Sequence, residues 1–245
     1  MEDRLDLTFH AETAHFWFRS FHASVAPVIR VIAVGRRDLR IIDCGCGTGY
    51  NLMTLLQPYG RAFGFDLDPN AIRLARQSGR PLVRADMEDI PFKSGTFDLA
   101  TSFDVVQGVP DDRATLREMA RVLKPGGYVV LNLTALELLW GEHNEAWDEV
   151  RRYTRESGTR LIEDAGLQVV RATYLFASLV PLILAVRSVQ RLLRPFRAPR
   201  GASDLDVPPA PLNAALTWIL SAEAALTRRF SMPFGSSLLL VARKP

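Results

Sequence analysis

Short apolar runs alternate with amphipathic stretches along most of the chain. Seven runs predict β-strands, at 40–43, 61–66, 81–85, 97–103, 128–133, 168–174 and 237–242. Stretches of helical periodicity, bounded by Asp or Thr caps and by Gly or Pro, predict helices at 9–34, 50–57, from 69 onward, 111–123 and 154–166. Strands that alternate with helices indicate an α/β fold with a doubly wound, mostly parallel sheet and helices on both faces.

Two segments fall outside this alternation. Residues 1–35 predict a helical cap that precedes the first strand. Residues 176–235 are too long for a turn, and they predict a helical lid inserted before the last strand, with a linker near 201–211. The core of the fold is therefore expected to consist of 36–175 and 236–245.

Composition narrows the class of protein. The 245 residues are 48% hydrophobic and 23% charged, which is typical of one globular domain of ordinary size. The acidic start of the chain does not resemble a secretory signal, and no apolar run approaches the roughly 18 residues of a membrane span. With two cysteines, at 44 and 46, we expect a protein of the reducing cytoplasm. A net charge of +3 does not indicate nucleic-acid binding.

The first candidate for chemistry is the glycine-rich turn after the first strand. Residues 43–49 read Asp-Cys-Gly-Cys-Gly-Thr-Gly, and glycines at alternate positions let the backbone turn sharply and approach a ligand. The helix that follows points its N-terminus into the same crevice. A nicotinamide dinucleotide fingerprint needs a glycine at the sixth position of this loop, where Tyr50 stands, so that class of oxidoreductase is disfavoured.

Two further motifs follow the next two strands. Asp66 ends the second strand, where a carboxylate can accept hydrogen bonds from both hydroxyls of a ribose. Asp86 and Met87 come just after the third strand. A carboxylate beside an apolar side chain suits an adenine, although an aspartate here is also common turn chemistry.

Together with the segments 97–103 and 123–127, these motifs resemble the class I S-adenosylmethionine-dependent methyltransferases, in particular the small-molecule branch. The resemblance covers roughly the first 170 residues and the final strand, and it implies a Rossmann-like core with S-adenosyl-L-methionine as cofactor. It implies that the cofactor is bound by Asp43, Gly45, Cys46, Gly47, Gly49, Asp66, Leu67, Asp86, Met87 and Phe103. Gly108 stands where many members carry a histidine, so no catalytic histidine is transferred to that position.

The acceptor must be bound by residues outside these motifs. The segments 15–21 and 139–147 both mix aromatic side chains with a histidine, which suits a flat, apolar small molecule such as an indole, phenol or quinol ring. Carbon, oxygen and nitrogen acceptors all remain open. A general base is needed only if the acceptor loses a proton, and the candidates are His143, Tyr153 and His15. We expect no metal site.

Two alternatives remain open. The apolar and arginine-rich stretch 172–200 could contact an anionic membrane, which would favour a lipid or quinone acceptor. We favour a lid over the acceptor pocket, because Ser178 and Pro181 interrupt the apolar run. The other alternative is a protein that binds S-adenosylmethionine without catalysis. The sequence does not indicate an oligomeric state.

Overall fold

A seven-stranded sheet forms the centre of the molecule. The structure, a computed structural model, describes residues 4–193 and 206–245. Its strands are β1 (Leu39–Cys44), β2 (Gly60–Asp66), β3 (Leu82–Arg84), β4 (Phe97–Phe103), β5 (Leu123–Thr134), β6 (Gln168–Leu175) and β7 (Ser237–Arg243). They lie in the order β3-β2-β1-β4-β5-β7-β6, and all described pairs are parallel except those that β7 makes with β5 and β6.

Helices cover both faces of this sheet. They are α1 (Arg4–Ala14), α2 (Phe16–Ala33), α3 (Pro69–Ala75), α4 (Asp112–Val122), α5 (Glu142–Ala146), α6 (Arg155–Asp164), α7 (Val180–Leu193) and α8 (Ala210–Thr227). One core cluster packs α4 and α6 against the sheet, and a second packs α2 and α8 against it. The predicted doubly wound α/β fold is confirmed.

The predicted strands are all present, and one of them begins five residues earlier than expected. β5 begins at Leu123 rather than at 128, because Leu123 pairs with Phe97 before the register shifts and resumes with Tyr128 opposite Leu99. The intervening residues include Gly126, whose φ of 79° is in the left-handed region. The glycine pair at 126–127 therefore makes an irregularity inside the strand instead of a loop ahead of it.

Two helix predictions were wrong in detail. The segment 9–34 is two helices, because His15 adopts an extended conformation (φ −71°, ψ 135°) and caps α2 by accepting a hydrogen bond from the Trp17 N–H. The segment 50–57 is helical, but Leu52–Leu56 is a π-helical turn that passes into a 3₁₀ turn. Pro58 has no N–H to donate to the carbonyl of Thr54, so the α-helical pattern cannot continue there.

Helix α8 holds the N-terminal helices in place. At the break between α1 and α2, the Asn213 side chain accepts a hydrogen bond from the Phe16 N–H and donates one to the Ala14 carbonyl, both at 2.8 Å. The linker predicted near 201–211 lies partly outside the described residues, and α8 begins within it at Ala210.

A second contact of α8 fixes the chain after β6. The buried carboxylate of Glu223 accepts hydrogen bonds from the backbone N–H groups of Ala177 (2.8 Å) and Ser178 (2.9 Å), and from the Ser178 hydroxyl. These N–H groups begin the helical segment that leads into α7. Glu223 thus links α8 to the turn at 177–179, which directly precedes α7.

We expect Glu223→Ala to lower the free energy of unfolding by about 2–5 kcal/mol, because it leaves two backbone N–H groups without their charged partner. Glu223→Gln keeps one acceptor oxygen and should cost less. Urea denaturation followed by circular dichroism measures both. The control is Glu156→Ala, which removes an exposed carboxylate paired with Arg160 and should change stability by less than about 0.5 kcal/mol. Equal effects of the Glu223 and Glu156 substitutions would contradict this role.

Candidate active site

The glycine-rich loop is tied to the end of β2. The backbone N–H groups of Gly45 and Cys46 both donate to the Phe65 carbonyl, at 3.0 and 2.9 Å. The Gly47 N–H donates to the Asp66 carboxylate at 2.9 Å. These bonds place the loop at the carboxyl edge of the sheet, where β1 to β5 all end.

Glycine is required in this loop for two different reasons. Gly45 and Gly47 have φ values of 74° and 52°, in the left-handed region. A Cβ on Gly45 would lie 2.6 Å from Val105, whereas a Cβ on Gly47 would meet no atom within 4 Å. The loop therefore packs tightly beneath Gly45 and faces open space beside Gly47, which leaves room for a ligand against the backbone.

Asp43 presents an unsatisfied carboxylate oxygen next to this loop. Its Oδ1 accepts a hydrogen bond from the Thr101 hydroxyl at 2.7 Å, while its buried Oδ2 has no partner. Burial raises the pKa of Asp43 to about 7. A buried acceptor without a donor is costly, and an ammonium group or a bound water would satisfy it.

Asp66 and its neighbours form the next part of the site. Asp66 Oδ2 accepts from Gly47 and Oδ1 accepts from the Asp68 N–H at 3.0 Å, so each oxygen retains a lone pair for a further donor. Burial raises the pKa of this carboxyl. Leu67 follows directly, and its side chain is 56% exposed although it is apolar. An exposed carboxylate, Asp86, comes shortly after the adjacent strand β3.

Three other residues expected at the cofactor site lie mainly in the packed interior. Met87 belongs to the core cluster of α4 and α6. Cys46 packs against Gly64 and Leu52, and burial raises the pKa of its thiol, so it stays protonated. Gly49 turns the chain into the following helix, with no space for a Cβ against Ala75. These residues support the loop by packing against the interior of the protein.

The structure adds Glu12 to the loop, which sequence reasoning missed. The Thr48 hydroxyl lies 2.7 and 2.6 Å from the two oxygens of the buried Glu12 carboxylate on α1. Burial raises the pKa of Glu12 to about 7, and the Thr48 hydrogen bond opposes this shift. No motif identifies this pair, because the two residues come from separate elements that only the tertiary fold brings together.

A second missed group is Asp104, which directly follows Phe103 at the end of β4. Its φ of 57° is rare for a residue other than glycine. The Asn132 amide lies 2.9 Å from each carboxylate oxygen, and burial raises the pKa of Asp104 to about 7. The sequence does indicate this residue, because Asp104 comes one position after the predicted parallel strand 97–103, at the edge of the sheet where ligands bind.

Asp104 is part of a larger polar cluster at the carboxyl edge. The Glu149 carboxylate accepts hydrogen bonds from the Asn144 amide (2.6 Å) and the Thr134 hydroxyl (3.1 Å). Glu149 raises the pKa of Asp104, and the nearby Arg152 lowers it. Burial lowers the pKa of the Arg152 guanidinium itself. The cluster brings β4, β5 and the segment 141–152 together around the half-buried carboxylate of Asp104.

The candidate bases from the sequence occupy different environments. His143 lies on α5 and is half-buried, with its ring centroid 6.0 Å from that of Trp147, and the adjacent Asn144 belongs to the polar cluster. Tyr153 is buried and donates its hydroxyl to Asp112 at 2.8 Å. His15 is buried as the N-cap of α2. The catalytic roles expected of these three residues stay predictions.

Within residues 4–193 and 206–245, no group of three or more His, Cys, Asp or Glu side chains is arranged to hold a metal ion. Across the same residues, no helix combines the length and apolar character needed to span a bilayer.

This fold resembles that of known methyltransferases. Residues 42–131 match the family model described as a methyltransferase domain, which agrees with the resemblance over these residues. The chain is 31% identical over 160 residues to an uncharacterized 37.1 kDa protein in transposon TN4556 of Streptomyces fradiae, covering 61% of this chain and 46% of that protein. It is 30% identical over 146 residues to the trans-aconitate 2-methyltransferase of Deinococcus radiodurans, covering 56% and 57% of the two chains.

Solved structures show the same fold at lower identity. The [4+2]-cyclase SpnF superposes with a TM-score of 0.59 at 18% identity, covering 91% of this chain and 80% of that one. The Haemonchus contortus phosphoethanolamine N-methyltransferase 2 superposes with a TM-score of 0.58 at 16% identity, covering 89% and 51%. The matched region spans about half the length of the curated relatives. A cyclase among the neighbours shows that this fold alone does not fix the reaction.

The Glu12–Thr48 contact predicts a pH dependence of stability. Folding raises the pKa of Glu12 from 4.5 to about 7, so the folded chain binds more protons between those values. The contribution of the protonated Glu12 carboxyl to the free energy of unfolding is complete below pH 4.5, and it is lost as the pH rises through about 7. The stability of the wild type relative to Glu12→Gln should therefore fall by up to about 3 kcal/mol across this range.

Urea denaturation at several pH values measures this difference, and the other buried carboxylates cancel because both chains carry them. Glu156→Gln, at an exposed position, is the control and should give a flat difference. If the Glu12→Gln and wild-type curves run parallel, Glu12 does not titrate as the structure indicates.

Proposed function

We propose that the chain transfers the methyl group of S-adenosylmethionine to a small-molecule acceptor. The observation that carries this proposal is the loop 43–49, where the unpaired Asp43 oxygen and the open space beside Gly47 lie next to Asp66. A ligand that joins an amino acid to a nucleoside needs an acceptor for its ammonium group, a close approach to the backbone and an acceptor for its ribose hydroxyls. When bound, the cofactor supplies a sulfonium methyl group that is already activated.

Each part of the cofactor has a counterpart among the described residues. Asp43 would satisfy the ammonium group directly or through water, and Asp66 would accept from the ribose hydroxyls. Leu67, Asp86 and Met87 would hold the adenine. The Phe103 backbone carbonyl, at the end of β4, would accept from the amino group. Gly45, Cys46, Gly47 and Gly49 form the loop that carries these contacts.

We expect Asp66→Ala to weaken binding of S-adenosylmethionine and of its demethylated product by roughly 10–150-fold. The reason is the loss of one charged hydrogen bond, worth about 1.5–3 kcal/mol. Isothermal titration calorimetry measures both affinities. The matched control is Asp68→Ala, which removes a neighbouring carboxylate that caps α3. Unchanged affinity in Asp66→Ala would remove this residue from the ribose site, and tight NADH binding by the wild type would refute the proposed function.

The acceptor pocket is proposed to lie between α2 and the polar cluster of Asp104. Aromatic rings from α2 approach the end of β4, with Phe21 edge-to-face against Phe103 at 5.1 Å and Trp17 stacked on Phe21 at 5.3 Å. Apolar side chains beside the half-buried carboxylate of Asp104 suit an aromatic or otherwise apolar acceptor with one polar atom, such as an indole, phenol or quinol. Methylation at carbon, oxygen or nitrogen is consistent with this pocket.

Segments 1–35 and 176–235 are proposed to roof this pocket, outside the core of 36–175 and 236–245. Glu12 covers the loop through Thr48, and Asn213 of α8 binds the α1–α2 junction. The buried Arg187 of α7 packs against Gly141, where even a Cβ would lie 2.3 Å from the guanidinium Nε. Both added segments thus contact residues at the carboxyl edge. A closed, dry site favours methyl transfer because positive charge is lost from sulfur in the reaction.

Asp104 is proposed as the general base for an acceptor that loses a proton. A carboxylate whose pKa is near neutrality can accept a proton at physiological pH. We expect Asp104→Asn to lower turnover by roughly 10²–10⁴-fold while the affinity for S-adenosylmethionine changes less than about 2-fold. The acidic limb of the pH–rate profile, near pH 7 in the wild type, should disappear.

The assay follows transfer of a labelled methyl group to a panel of phenols, indoles and quinols. Asp148→Asn, at an exposed position nearby, is the control and should keep both turnover and the limb. His143→Ala tests the base expected from the sequence. Retention of the limb in Asp104→Asn and its loss in His143→Ala would assign the proton transfer to His143 and refute the role of Asp104.

A further inference from the structure

Helices α7 and α8 expose apolar side chains where surface helices normally carry charges. Trp218 on α8 is 74% exposed. The other exposed large apolar side chains on these two helices are Leu182, Val186, Val189, Leu192, Leu212, Ile219 and Leu226. Ile183 and Leu216 pack the two helices against the same core cluster, so both stand on one face of the sheet. Eight large apolar side chains exposed on two helices of one face are more than the single scattered ones of an ordinary surface, and they indicate a contact surface.

The charged side chains described on these helices are turned away from the exposed faces. Glu223 is the single charged residue of α8, and it is buried against the backbone of 177–178. On α7 between 180 and 190, the charged residue is Arg187, which is buried and packs against Gly141. The exposed faces therefore carry no acidic group among the described side chains.

Basic residues border the apolar faces. Arg228 and Arg229 are exposed directly after α8, and Phe230 and Phe234 follow them with exposed rings. The sequence 188–200 contains four more arginines and no acid, and their side chains lie outside the described part of the chain. The nearest acids beyond it are Asp204 and Asp206. Apolar side chains edged by arginine are the pattern that binds to the headgroup region of an anionic bilayer.

We propose that the exposed faces of α7 and α8, together with residues 228–234, bind the surface of an anionic phospholipid membrane. The sequence favours a lid for this region, and the exposed apolar faces of α7 and α8 add a membrane contact to that role. A second copy of the chain is a poorer occupant, because a two-fold contact would bring the same arginines against each other. This proposal does not depend on methyl transfer, since lipid binding is measured without cofactor or acceptor.

The position of the surface connects it to the candidate site. The N-terminal end of α8 carries Asn213, which binds the junction of α1 and α2. Helix α1 in turn places Glu12 on Thr48 of the glycine-rich loop. A membrane bound along α8 would therefore lie beside the helices that are proposed to roof the acceptor pocket, where an apolar acceptor could enter from the lipid.

The test is co-sedimentation of the full chain with vesicles of phosphatidylcholine, alone or mixed with phosphatidylserine. We expect binding to the mixed vesicles that weakens with added salt, as screening of an electrostatic contribution requires. Trp218→Glu should lower the partition coefficient at least about 10-fold, because it removes a large apolar contact and adds a repelled charge. Arg228→Gln with Arg229→Gln should lower it roughly 30-fold, at about 5-fold for each arginine near the surface.

Matched controls change the same charges elsewhere. Ser94→Glu adds one acid on an exposed loop, and Arg113→Gln with Arg117→Gln removes two exposed arginines from α4 on the other face of the sheet. Both should bind vesicles like the wild type. Vesicles with brominated acyl chains should quench the tryptophan fluorescence of the wild type, and Trp218→Phe should lose most of this quenching while it still sediments.

Three results would overturn the proposal. The first is a wild-type chain that does not sediment with the phosphatidylserine vesicles, or that binds pure phosphatidylcholine equally well. The second is binding that Trp218→Glu and the double arginine substitution leave unchanged although circular dichroism shows that both variants fold. The third is a dimer that Trp218→Glu abolishes in sedimentation velocity without any vesicle binding, which would assign the surface to a second copy.

Discussion

The attachment of the glycine-rich loop to the end of β2 is the constraint on which the site depends. Three consecutive N–H groups, at 45, 46 and 47, are directed at the Phe65 carbonyl and the Asp66 carboxylate. With these donors satisfied, the loop can keep a left-handed conformation at Gly45 and Gly47 and leave open space beside Gly47. Asp66 consequently orders the loop with one lone pair and still offers others to a ligand. The order of the loop and its capacity to bind therefore come from the same carboxylate.

The fold and the position of the glycine-rich loop were predictable because their signals are local. Strand alternation, the caps Asp68 and Thr154 and the glycines of the loop each depend on residues within one or two turns of chain. The resemblance to class I methyltransferases rests on these local motifs. The break at His15 was missed because no proline or glycine marks it in the sequence, and the Asn213 side chain that binds both sides of it lies far away in the chain.

The region proposed for the acceptor was less predictable because it is built from long-range contacts. Glu12 meets Thr48 only after α1 packs over the loop, and Arg187 reaches Gly141 only after α7 folds back. Sequence reasoning chose Tyr153 and two histidines, a residue type whose pKa lies near neutrality without help. It did not weigh Asp104, whose pKa is raised toward neutrality by desolvation in the fold and by Glu149. Burial of a carboxylate is a property of the tertiary structure, so composition could not reveal it.

Burial links the stability of the molecule to its chemistry. Asp43 and Glu12 are buried and Asp104 is half-buried at the carboxyl edge, and the pKa of each is raised to about 7. Each carboxylate would be more stable in water, so the fold retains them at a cost in stability near neutral pH. A ligand that brings an ammonium group to Asp43 would offset part of that cost, since a nearby positive charge favours the ionised form. Ligand binding and folding are therefore coupled through the same carboxylates. One of them, Asp104, also adopts a strained backbone conformation, with φ of 57°.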